Sequence, residues 1–146
     1  PHNSPTLLLV EQDVIVRFGL AEYLRACGFT VIEAPNGEDA RAVLVAGPAI
    51  DVLMSDAQLA GNENGFALAQ WVRRHRPNVE VLLMSSLAQK AQIASDFCGR
   101  YPDRKTLSDA AGLTSRIQAM LAERKRRTRP PSSTATVNAR RRRSLY

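Results

Sequence analysis

The chain has 146 residues, with 20 Lys or Arg and 14 Asp or Glu, a formal net charge of +6 and a pI of about 10.0. That length suits one domain with a core of its own, and a 45% hydrophobic composition excludes a wholly disordered chain. The charge is unevenly spread: residues 1–122 carry 11 basic and 13 acidic residues, whereas residues 123–146 carry 9 basic and 1 acidic. The basic pI thus describes a tail and gives no reason to expect nucleic-acid binding by the body. No apolar run approaches the roughly 18–20 residues of a membrane span. Pro1 to Pro5 lack a basic stretch followed by an apolar one, so no signal peptide is expected and the location expected is cytoplasmic. Cys27 and Cys98 have neither CxxC spacing nor a His cluster, and the expectation is two reduced thiols.

Thr6–Val10 (TLLLV) is a short continuous apolar run, as in a strand buried on both faces, and ends at Glu11, Gln12 and Asp13. Ile15, Phe18, Leu20, Tyr23 and Leu24 follow with helical spacing, stopped by Gly28. Phe29–Glu33 reads as a second strand, Pro35 to Gly37 as a turn, and Glu38 to Ala46 as a second helix. Ile50–Ser55 is a third strand running into Asp56. A loop with Gly61, Asn62, Asn64 and Gly65 leads to a third helix from Phe66 to His75, closed by Pro77. Val79–Met84 is a fourth strand, ending at Ser85 and Ser86. Gln89 to Phe97 is a weakly patterned helix, residues 98–104 a weak fifth strand, and Ser108 to Arg124 a last helix. Alternating strands and helices predict an α/β fold: a doubly wound, five-stranded parallel sheet with about five helices, irregular at strand five and helix four. The expected boundaries are an arm over residues 1–5, a domain over 6–122 and a basic disordered tail over 123–146.

In open sheets of this kind ligands bind at the carboxyl ends of the strands. Those ends carry Glu11, Gln12 and Asp13 after strand one, Asp56 after strand three, Ser85 and Ser86 after strand four, and Lys105 near strand five. Carboxylates from two strands meeting in one crevice require a positive charge. A hard divalent cation such as Mg²⁺ prefers such oxygen ligands, Lys105 adds a further charge, and a phosphoryl group is the natural anion for the site.

These residues resemble the receiver domain of two-component response regulators over about residues 6–122. The stretches that carry the likeness are LLLVEQD, DVLMSDAQLAGNENG, VLLMSS and Lys105. The resemblance implies a flavodoxin-like fold with Asp56 as phosphoacceptor. It implies Mg²⁺ held by Glu11, Gln12, Asp13, Asp56 and the backbone carbonyl of Gln58. It implies that Lys105 contacts the phosphoryl group and that Ser85 senses it, with Tyr101 as the aromatic partner of that switch. The implied donor is a sensor histidine kinase or histidine phosphotransfer protein in a phosphorelay. The output is a regulated surface for a downstream protein target, with homodimerisation through helix four, strand five and helix five. Such a domain is not an enzyme beyond its own phosphotransfer and dephosphorylation.

Several positions depart from the family pattern. Gln12 stands where a metal-binding acid is expected, Thr106 follows Lys105 in place of Pro, and Pro102 occupies the usual switch-aromatic position. Ala60 and Asn64 replace a Pro and an Asp common in the acceptor loop. A degenerate receiver that binds a partner without phosphorylation is therefore the alternative. An aspartyl phosphatase is disfavoured because strand one is followed by Glu rather than the nucleophilic Asp of that class. Nucleic acid is a candidate partner only for the tail, through counterion release. With only 24 residues after 122, the sequence as given reads as a stand-alone receiver.

Overall fold

The computed structural model describes residues 4–61, 63–101 and 109–128. Four strands, β1 (Thr6–Val10), β2 (Thr30–Ala34), β3 (Val52–Asp56) and β4 (Glu80–Met84), form one sheet in the order β2-β1-β3-β4. Every pairing is parallel; Leu8 aligns with Ile32 on one side and Leu53 on the other, and Asp56 aligns with Met84. Five helices accompany them: α1 (Val14–Ala26), α2 (Gly37–Ala46), α3 (Gly65–His75), α4 (Leu87–Gly99) and α5 (Ala110–Thr128).

Strand side chains alternate between two cores, as the two-residue period of a strand requires. Leu7, Leu9, Val52 and Met54 face α1, α4 and α5, packing with Leu20, Leu24, Ala94, Phe97, Leu113 and Ile117. Leu8, Val10 and Leu53 face α2 and α3, packing with Leu44, Leu68 and Val72. Helices on both faces of a parallel sheet explain why β1 and β3 read as unbroken apolar runs. Gly19 lets α5 lie close on α1, since a Cβ there would fall 2.6 Å from Cγ1 of Ile117.

The first seven elements fall within two residues of the expected boundaries, and β3 includes Asp56 rather than stopping before it. The chain after β4 differs more. Helix four is regular, not irregular: 13 residues, capped by Ser86, whose Oγ accepts from the Gln89 amide at 3.1 Å. It runs through residues 98 and 99, where a fifth strand was expected, and is capped by Arg100. Ala91, Ala94, Phe97 and Cys98 recur at helical spacing and are all buried, so packing continues the helix. The sheet of the described residues thus has four strands, not five; the rest of the expected strand, 102–104, lies outside them. Helix α5 extends through Thr128, taking up residues 123–128 that were assigned to the tail.

The cysteines overturn a second expectation. Cys27 and Cys98 form a disulfide, with Cα atoms 6.1 Å apart. Cys27 caps the C-terminus of α1 and Cys98 lies in the last turn of α4. Both helices end on the same face of the sheet, so a pair 71 residues apart in sequence meets in space. Among the described residues no helix is long and apolar enough to cross a membrane.

Candidate functional site

β1 and β3 are neighbours, so the residues at their carboxyl ends stand side by side. Glu11 follows β1 and is held there by its amide, which donates to the Ala34 carbonyl at 3.0 Å. Asp56 ends β3, and the next amide, of Ala57, donates to the Met84 carbonyl at 2.8 Å. Into this edge comes Lys90 from the first turn of α4. Its ammonium donates to Glu11 Oε1 at 2.6 Å and to Asp56 Oδ2 at 2.9 Å. All three residues are buried, at 2%, 6% and 7% exposure for Glu11, Asp56 and Lys90. The remaining carboxylate oxygens are also engaged: Glu11 Oε2 accepts from the Asp13 amide at 3.0 Å, and Asp56 Oδ1 from the Gln58 amide at 2.8 Å. The loop after Asp56 returns at Gly65, whose missing Cβ would sit 2.1 Å from the Asp56 carbonyl oxygen. Only glycine permits that approach.

Burial pushes the Glu11 carboxyl above its ordinary range, and the hydrogen bonds from Lys90 and the Asp13 amide offset this only in part. Burial alone would lower Lys90, but its hydrogen bonds to Glu11 and Asp56 outweigh that and hold it above the ordinary lysine value. Lys90 is therefore a charged ammonium at neutral pH, facing two acids.

The other residues expected at the site are arranged differently. Gln12 directs its amide oxygen to the Ala60 amide at 2.9 Å, clipping the loop after β1 to the loop after β3. Asp13 is the N-cap of α1, accepting from Ile15 and Val16 at 2.9 and 3.1 Å. Its carboxylate is also gripped by both terminal nitrogens of Arg124, at 3.1 and 3.0 Å. Gln58 reaches the site through its amide on Asp56. Ser85 lies one residue beyond Met84, and its amide and hydroxyl both donate to Gln89 Oε1 at 2.5 Å. Tyr101 is not beside Ser85. It follows α4 at the opposite edge of the sheet, its ring 5.2 Å from Phe29 and 5.5 Å from Phe97. The whole of α4, about 20 Å at 1.5 Å per residue, separates the two. Lys105 lies outside the described residues.

Sequence reasoning missed Lys90 and Arg124. A lysine in LAQKAQIA reads as a solvated helix residue. The available signal was its spacing from Ala94 and Phe97, which puts Lys90 on the buried face of α4.

The parallel α/β sheet thus carries a buried aspartate ending β3, an acid after β1 and an ammonium between them. The chain belongs to the response regulator receiver domain family, whose model matches residues 7–97, and so to the proteins of two-component signalling. It is 33% identical over 81 residues to a cyclic di-GMP phosphodiesterase of Thermotoga maritima, covering 56% of this chain and 21% of that protein. Among solved structures, the response regulator receiver protein of Pseudomonas putida is similar with a TM-score of 0.54 and 22% identity, over 68% of this chain and 83% of that one. The MaeR response regulator bound to beryllium trifluoride is similar with a TM-score of 0.51 and 28% identity, over 56% and 67%. The chain spans about half or less of the length of the curated relatives it matches.

Receiver domains are typically non-enzymatic phosphoacceptors that partner with histidine kinases and bind Mg²⁺. As arranged here, the residues do not fit that ion. Both carboxylates already hold the Lys90 ammonium. Gln12 faces Ala60, and Asp13 is taken by the α1 cap and Arg124. Among the described residues no group of three or more His, Cys, Asp or Glu is arranged to hold a metal.

Proposed function

We propose that Asp56 accepts a phosphoryl group from a phosphohistidine on a sensor kinase or phosphotransfer protein. The observation that carries this reading is the Lys90 ammonium 2.9 Å from Asp56 Oδ2 at the carboxyl edge of the sheet. The carboxylate oxygen attacks phosphorus in line. The new O–P bond forms as the P–N bond to imidazole breaks, and the imidazole leaves with its electron pair and takes up a proton. Lys90, already on Asp56, disperses charge on the phosphoryl oxygens. Ser85, at the end of the neighbouring strand, supplies a hydroxyl that can leave Gln89 for a phosphoryl oxygen. The product biases a surface that a downstream protein reads, and the α4–α5 side of the domain is the candidate surface, for a target or a second copy.

The test is acetyl phosphate labelling of the wild type and Asp56→Asn, with and without Mg²⁺, read by intact mass. A single phosphoryl adduct on the wild type, absent from the variant, is expected. No adduct under either condition overturns the reading. A second reading, a receiver that binds its partner without phosphorylation, is favoured by the saturation of both Asp56 oxygens. It predicts that Asp56→Asn retains full partner binding.

A further inference from the structure

We propose that Lys90 is the resident cation of this site, and that its ammonium and a divalent ion exclude one another at Glu11 and Asp56. Two buried carboxylates side by side need a positive charge between them, or one must take up a proton. In this chain the charge comes from the fold itself. Lys90 spans from one carboxylate to the other, and no buried side-chain nitrogen or oxygen among the described residues lacks a partner. The loop after β1 adds no further charge to the pair. Gln12 brings no charge and is spent on Ala60, while Asp13 is turned to α1 and Arg124. A site whose neighbouring Gln12 and Asp13 oxygens are engaged elsewhere, and whose two carboxylates share an ammonium, is neutralised without a metal.

The exclusion follows from the distances. An ion coordinated by Glu11 Oε1 and Asp56 Oδ2 at the roughly 2.1 Å of Mg²⁺ would meet the ammonium that already lies 2.6 and 2.9 Å from those atoms. Two cations cannot share that space, so one must leave. Lys90 sits in the first turn of α4, and its departure would release that turn from the sheet edge. Cation occupancy is thereby coupled to the position of α4, which in this chain carries the ammonium itself. The consequence for signalling rests on the reading of Asp56 as acceptor. The competition does not, and it can be measured with no phosphodonor present.

The experiment is Mn²⁺ binding to the full chain, followed by the electron paramagnetic resonance of the free ion. Lys90→Gln is expected to bind Mn²⁺ at least about tenfold more tightly than the wild type. Lys90→Gln combined with Glu11→Gln is expected to lose the gain. Equal affinity in wild type and Lys90→Gln, binding by neither, or a gain that survives Glu11→Gln overturns the proposal. The wild type gives a reading that needs no variant. Lys90 is expected to resist amine acylation relative to Lys125, measured by mass spectrometry, and to become reactive when Mn²⁺ saturates the site. Lys90 equally protected with Mn²⁺ bound overturns the proposal. Failure of acetyl phosphate labelling with these results intact removes the acceptor reading alone.

Discussion

Lys90 Nζ lies 2.9 Å from Asp56 Oδ2 across 34 residues of sequence, and the pair is closed from solvent on both sides. A buried ion pair adds little net stability, because desolvation offsets the attraction, but losing one partner strands the other. Here one ammonium serves two acids, so its loss strands both.

Lys90→Met is therefore expected to destabilise the fold by about 3–5 kcal/mol at pH 7, measured by urea unfolding. Adding Asp56→Asn to Lys90→Met should recover part of that loss, because it removes one of the two stranded charges. A Lys90→Met chain within about 0.5 kcal/mol of the wild type would mean the carboxylates find another partner.

Gly65 and Gly99 should respond to alanine with opposite signs. At Gly65 the new Cβ meets the Asp56 carbonyl oxygen at 2.1 Å and the Ala57 Cα at 2.8 Å, both backbone atoms that cannot swing aside. Gly65→Ala is expected to cost about 2 kcal/mol or more and to reduce phosphoryl labelling of Asp56. At Gly99, the last residue of α4, nothing lies within 4 Å of the new Cβ. Gly99→Ala is expected to be neutral or to stabilise by up to about 1 kcal/mol. Thermal melts of the two variants decide, and equal effects would count against the close approach at Gly65.

The pH dependence of stability should show the Asp13–Arg124 pair. Burial alone would raise Asp13, but the Arg124 hydrogen bonds and the α1 cap amides outweigh it and hold the carboxyl below its ordinary value of 3.8. A depressed carboxyl contributes stability that is present above its unfolded value and lost as pH falls through the lower folded value. The side chains are 40% and 31% exposed, so screening limits the pair to about 1 kcal/mol or less. Arg124→Gln is expected to cost that amount at pH 7 and nothing near pH 2. An equal loss at both pH values would assign the effect to packing of the arginine stem.

Much of this was legible in the sequence because each local signal agreed with the fold. β1 and β3 are unbroken apolar runs because helices cover both faces, and Asn36, Asn64 and Ser86 cap helices where the pattern begins. Asp56 and Glu11 were recognisable because strand adjacency puts their strand ends together. Lys90 was not, because its role depends on α4 lying on the α1 face, which no local pattern states. The Gln12 departure was visible, but its consequence, a clip to Ala60, needs the loop path 48 residues away. The helix over residues 98–99 hid behind a segment whose only strand argument was its place in the alternation.

The disulfide was equally illegible, since nothing in a pair 71 residues apart indicates a bridge, and it fastens α4 at the end opposite Lys90. Closing a loop of that length restricts the unfolded chain by up to about 4 kcal/mol in the chain-entropy model. Dithiothreitol is expected to lower the urea midpoint of the wild type and to leave that of a Cys27→Ala, Cys98→Ala chain unchanged. Both cysteines are buried, so alkylation of the reduced native protein should follow unfolding rather than reduction. The tether and the ion pair act at opposite ends of one helix, and their losses should add when Lys90→Met is measured with and without reductant. Losses well short of additive would show that α4 detaches as a unit once either end is released.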